Sequence, residues 1–258
     1  MKTIRFILLT AVLTMLWGCS SDDDNGNTSS NGSTFFASET PAWRVDLTGS
    51  DATPSWTAPD PTKYESSMFI IVKLQADLLP YSTDDDRMTV FIGNECRAVP
   101  AVPNKDKEGN ISFVLKIRGN STDRSVNLTL CYYCAQLHQI FVIEGEETFV
   151  SELTYGSDED FVPPLLKGCK KYPVQQQLTV NLPVKVPFSF ADNDIIAAFA
   201  GSECRGVGRV GQPFTVFCTT TGETLQLRYY SNIRAGIYSF HQNVTVSKDE
   251  AQTVTLSF

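Results

Sequence analysis

Apolar and polar residues trade places quickly along most of this chain. Short runs rich in Val, Ile, Thr, Phe and Tyr occupy 68–74, 88–92, 111–117, 126–133, 178–182, 195–200, 214–218, 224–230 and 244–246. Clusters of Gly, Pro, Asn or Asp separate them, and capped segments with a helical period are missing. Such runs predict strands joined by turns. The stretch Thr253-Val-Thr-Leu-Ser-Phe258 alternates strictly, as a strand does when one face is buried and the other solvated. Residues 195–199 are apolar on both faces and predict a strand in the middle of a sheet. The chain reads as all-β.

The pattern occurs twice. Phe91-Ile-Gly93-Asn94-Glu95-Cys96-Arg97-Ala-Val99 matches Phe199-Ala-Gly201-Ser202-Glu203-Cys204-Arg205-Gly-Val207, 108 positions later. At the same offset Asp84 and Asp86 fall on Asp192 and Asp194, and Lys63-Tyr64 on Lys171-Tyr172. A longer loop near 100–109 in the first copy then shortens the offset to 97. There 128–133 meets 225–230, with Tyr132-Tyr133 on Tyr229-Tyr230, and Ile140-Phe141 meets Ile237-Tyr238. A duplication is predicted, with one immunoglobulin-like β-sandwich over 41–166 and a second over 167–258. The Pro163-Pro164 to Gly168 stretch between them suits a boundary.

The repeated motif has a mechanical reading. Gly93-Asn94 and Gly201-Ser202 sit between strand residues, and a Gly first in a two-residue loop marks a type II′ hairpin turn. In that register Phe199 lies across from Cys204 and Ala198 from Arg205. Phe and Cys then share the core face, while Glu203 and Arg205 share the outer one, where an exposed ion pair contributes little. The Asp residues before each strand suit turns; calcium ligation by them is the sharper and less common use.

The motif resembles a repeat module of secreted and surface proteins in Bacteroidetes and relatives, with the core Asp-x-Ile-Ala-Ala-Phe-x-Gly-x-Glu-Cys-Arg-Gly-Val. Trp56, Pro59, Tyr64 and Met68 match its lead-in, and 86–99 and 194–207 its core, the second copy more closely. Gly156-Ser157 and Pro163 match its exit; the second copy lacks the lead-in Trp and the Gly-Ser exit. The resemblance implies a β-sandwich accessory module and brings no catalytic or ligand residues with it.

The N-terminus adds a location. Lys2 and Arg5 precede an apolar run over 6–17, too short to span a bilayer and suited to a signal peptide of residues 1–18. Leu16-Trp17-Gly18-Cys19 resembles a bacterial lipobox, which makes Cys19 the lipid-attachment residue. Ser20-Ser21-Asp22-Asp23-Asp24 is similar to the signal that sends Bacteroidetes lipoproteins to the outer face of the outer membrane. Residues 19–40 read as a flexible Ser-, Asn- and Gly-rich tether.

Composition narrows the function. Charged residues are 19% of the chain, and 21 Lys and Arg stand against 29 Asp and Glu, a net charge of −8. An acidic surface of this kind repels nucleic acid. Besides Cys19 there are six cysteines. Cys204 and Cys218 are symmetric about Gly211, so a simple hairpin makes them a candidate disulfide. Cys131 and Cys134, three apart in a strand, face opposite ways. His138 and His241, the chain's two histidines, sit in no nucleophile elbow or zinc motif. Acid pairs such as Glu95 with Asp86 recur in both copies, as structural residues of a duplicated motif do.

These observations predict no catalytic residue, cofactor or metal. They predict a monomeric, lipid-anchored surface protein that binds a glycan, a host protein or an envelope partner. Trp43, Trp56, Tyr81 and one Tyr of each pair at 132/133 and 229/230 are the candidate contacts. The alternative is a fimbrillin-like subunit assembled by strand addition, and a surface hydrolase ranks below both.

Overall fold

A computed structural model describes residues 32–37, 39–183, 191–247 and 251–256. The signal peptide, Cys19 and Asp22, Asp23 and Asp24 lie outside them. Strands dominate the described residues, and helical backbone is confined to four 3₁₀ turns. The described residues belong to one compact unit, Asn31–Phe258.

A first strand, β1 (Gly32–Phe36), lies within what the sequence read as tether. The first repeat then runs β2 (Ser66–Lys73), β3 (Arg87–Ile92), β4 (Glu95–Cys96), β5 (Asn104–Lys105), β6 (Ile111–Gly119), β7 (Asn127–Cys134), β8 (Gln139–Thr148) and β9 (Thr154–Tyr155). The second runs β10 (Val174–Asn181), β11 (Ile195–Ala200), β12 (Glu203–Gly208), β13 (Pro213–Cys218), β14 (Thr224–Ser231), β15 (Gly236–Thr245) and β16 (Gln252–Thr255). The bounds of β2 and β3 recur 108 residues later as β10 and β11, and those of β7 and β8 recur 97 later as β14 and β15. The duplication is therefore one of strands as well as letters.

Sheet order repeats too. The first copy has sheets β5-β6-β2-β9 and β4-β3-β7-β8; the second has β13-β10-β16 and β1-β15-β14-β11-β12. Pairing is antiparallel except that β9 runs parallel to β2, and β16 to β10. Each copy buries the inward residues of its two sheets in its own apolar cluster. Alternation sets this directly: in β7, Leu128, Leu130, Tyr132 and Cys134 enter the first core, while Cys131 lies on the other face. The first core also takes Tyr172 and Phe217 from the second copy, so the seam between copies is packed.

Gly93 and Gly201 have φ of 58° and 61°, whereas Asn94 and Ser202 keep negative φ, as type II′ turns require. Phe91 faces Cys96, and Phe199 faces Cys204, as the turn predicts. The next pair departs from expectation. Ala198 faces Gly206, and the register shifts between Ala198 and Phe199, which leaves Arg205 as the extra residue of a bulge. Arg205 is buried, as Arg97 is in the first copy, because the Phe–Cys face is not the core: Phe199 and Cys204 stand outside the second apolar cluster.

Three other expectations are corrected. Cys204 and Cys218 are free thiols, because β12 and β13 belong to different sheets and the turn at Gly211 passes between them instead of closing a hairpin. Tyr132, Tyr133, Tyr229 and Tyr230 are all buried, so neither pair offers a contact residue. Strand β8 is absent from the runs read in the sequence, and β15 begins well before the run at 244–246, because polar residues interleave with the apolar ones in both.

Candidate functional site

Two structural constellations account for most of the repeated polar residues. Asp86 is fully buried, and its carboxylate accepts from the Ser82 hydroxyl, the Thr83 amide and hydroxyl, the Tyr132 hydroxyl at 2.7 Å and the Ala135 amide at 2.9 Å. Asp194 does the same work with the Ala191 amide, the Tyr229 hydroxyl at 2.6 Å and the Asn232 amide at 2.7 Å. Each Asp pins the turn between the last two long strands of its sheet to the start of the motif strand. Burial, together with the adjacent carboxylate, pushes both phenols well above the ordinary tyrosine value. These oxygens are occupied by protein donors.

The second constellation is the motif Arg. Arg97 meets Asp123 at 2.8 Å and Glu95 at 3.1 Å, donates to the Arg118 carbonyl and lies 4.6 Å from the Tyr64 ring centre. Tyr64 donates to Glu95, and burial plus that contact pushes its hydroxyl to about 12. Arg205 meets Glu223 at 3.0 Å and Glu203 at 3.1 Å and lies 4.9 Å from the Tyr172 ring centre. Both clusters consume their charges internally, and they tie sheet to sheet.

What remains unspent lies at the seam between the copies. Residues 39–60 run without strand assignment and form a strap across it. Leu47 anchors the strap in the first core. The Gly49 and Asp51 amides donate to the Leu137 and His138 carbonyls, each at 2.8 Å, and Asp51 accepts from the Ile140 amide. On the other side Lys171 meets Asp46 at 2.8 Å, and the Tyr172 hydroxyl donates to the Asp46 carbonyl. Hydrogen bonds from Lys171 first, then from Thr48, hold the Asp46 carboxyl down at about 2.

So fixed, the strap sets Trp43 edge-on against Phe199, ring centres 5.7 Å apart at 81°. Phe199 is held from elsewhere by Arg228, 4.0 Å from its ring centre. Trp43 and Arg44 border two concavities. The larger, about 850 Å³, also takes in Gln75, Asp77 and Tyr81 from the first copy and Gln175, Gln176 and Gln177 from the second. The smaller, about 320 Å³, runs toward Tyr172, Ser202 and Glu203.

The groove has a braced floor. The Leu166 peptide is held from both copies: its amide donates to Gln75 and its carbonyl accepts from Gln175. Gln176, buried, donates to Ser247 at 2.9 Å, while its carbonyl oxygen has no partner among the described residues. Gln177 donates to Thr215, and Lys167, Asp77 and Arg44 are exposed along the rim. Planar amides, a half-buried indole and few charges suit hydrogen bonding to a neutral polar ligand with apolar faces.

Of the contacts expected from sequence, Trp43 and Tyr81 are in this groove; Trp56 is half-buried and outside its lining. The glutamines went unread. Their one signal was the run 175–177, whose alternate members face opposite sides of a strand, and their partners come from 75–81, about a hundred residues away. No group of three or more His, Cys, Asp or Glu placed to hold a metal occurs among the described residues. Comparison with known proteins yields no match to a family model, a curated protein or a solved structure.

Proposed function

We propose that this is a non-catalytic, lipid-anchored surface protein of the Bacteroidetes type suggested by its repeat motif, and that it binds an oligosaccharide in the seam groove. Cys19 carries the anchor, and Asp22, Asp23 and Asp24 direct the chain to the cell exterior. The observation that supports binding is the groove beside Trp43, built from both copies at positions the repeat leaves free. An indole offers a flat apolar surface to the C–H face of a sugar ring, and amide side chains pair donor and acceptor with adjacent hydroxyls. Asp86, Asp194, Arg97 and Arg205, the polar residues the duplication keeps, are engaged within the protein and take no part. The test is a glycan array probed with the full chain and with Trp43→Ala. The reading predicts retained glycan spots that the variant loses. A blank array with well-folded protein overturns it.

A further inference from the structure

Each copy ends the sheet that carries its motif on a long hairpin whose second strand would be an open edge, and each edge is met by a different piece of chain. In the first copy the edge of β8 is met by the segment leading into the second copy. Phe141 pairs antiparallel with Cys169, and Gly168 lies so close to β8 that a Cβ there would clash with the Val142 carbonyl. In the second copy the edge of β15 is met by β1, again antiparallel, from Phe36 opposite Gly236 to Gly32 opposite Phe240. The Ala37 amide extends this ladder to the Ala235 carbonyl at 2.9 Å. Phe141 and Tyr238 are equivalent under the 97-residue offset, so Cys169 and Thr34, the partner of Tyr238, cover the same position of the repeat.

One rule describes the first copy: the segment that leads into a repeat closes the edge of the repeat before it. β1 leads into the first repeat, yet it closes the edge of the second. Obeying the same rule, it would close the second repeat of another copy. We propose that β1 is exchangeable, and that chains join head to tail by laying β1 of one on β15 of the next.

Pairing through main-chain bonds accepts an identical strand from any copy equally well. The segment around β1, rich in Ser, Asn, Gly and Thr, is suited by composition to change its path. The chain that joins β1 to the rest of its own copy holds it near its own β15 at an effective concentration on the order of mM. Isolated chains therefore stay closed, and exchange needs copies that fold or reside close together.

Ser33 faces Ser239 across this ladder, which supplies the test. Full chains carrying S33C alone and S239C alone are co-expressed, oxidised and mapped by mass spectrometry. S33C co-expressed with T220C, an exposed position outside the ladder, reports random collision. The double variant S33C/S239C, purified dilute, checks the register within one chain. The proposal predicts an in-chain 33–239 disulfide in the double variant. It also predicts a chain-to-chain 33–239 disulfide in the mixed pair, several-fold above the T220C control. A mixed pair no higher than the control overturns the exchange, and a double variant that fails to close within one chain overturns the ladder on which it rests.

Discussion

The two motif arginines follow the same turn and are both buried, yet their surroundings differ. Arg97 uses Nε for Glu95 and Nη1 for Asp123, and Asp123 in turn accepts from the Asn120 amide. Arg205 makes both its ion pairs through Nη2, while its Nε and Nη1 are buried without a partner among the described residues. Beside the motif hairpin, β7 carries Cys131 where β14 carries Arg228, which lies over Phe199. The first copy has the fully paired framework. The second is less completely paired on the side where Trp43 docks, and the difference marks the seam as the place where the two copies part company.

The largest effect should come from what the copies share. Asp86→Ala strands five donors, the buried Tyr132 hydroxyl among them, and should cost about 4 kcal/mol; Asp194→Ala, with three, should cost about 3 kcal/mol. Urea melts of the two variants order them, and equal costs would show that the donor count does not govern.

The arginines should then separate. Arg97→Met leaves Asp123 buried beside one lost charge and should destabilise by about 3 kcal/mol. Arg205→Met removes two buried donors that lack partners and leaves Glu223 still accepting from Thr219, so it should destabilise by less, about 1 kcal/mol. A larger loss at Arg205 than at Arg97 would reverse the comparison.

A smaller difference concerns close approach. Ala98 of the first copy corresponds to Gly206 of the second, where a Cβ would meet the Thr215 carbonyl oxygen at 2.6 Å. Gly206→Ala should cost about 2 kcal/mol, and Ala98→Gly about 1 kcal/mol, both read as melting shifts.

Much of this framework was legible beforehand. Strand positions follow from alternation, and the II′ turns from a Gly at a fixed place between strands. The burial of Arg205 was not, because turn register says which residues are opposite but not which face is covered. Taking the Phe–Cys face for the core placed the neighbouring Arg outside. The groove was half legible. Trp43 stood out as an aromatic outside any strand, whereas Gln75 and Gln175 meet only because both hold the Leu166 peptide. No local pattern encodes that meeting.

The smallest effect tests the strap. The Asp46 carboxyl is held at about 2, below its ordinary value of 3.8. Stability from a depressed acid is whole above the unfolded value and is lost as the pH falls through the folded one. The Lys171 contact should therefore persist at neutral pH and fade between about pH 4 and pH 2. Asp46 is mostly exposed, so global stability should move little, while Trp emission from the loosened strap should change.

The central claim is that Trp43 and the glutamines of both copies share one ligand. Its most direct test is fluorescence of the Trp56→Phe chain, which keeps Trp43 as the reporter in the folded part, titrated with the oligosaccharide that binds best on the array. The account predicts a saturable change in emission, with affinity weakened at least about tenfold when Gln177→Ala is added, as expected when one or two hydrogen bonds to a ligand are lost. Undiminished binding with unchanged Trp43 emission would contradict it.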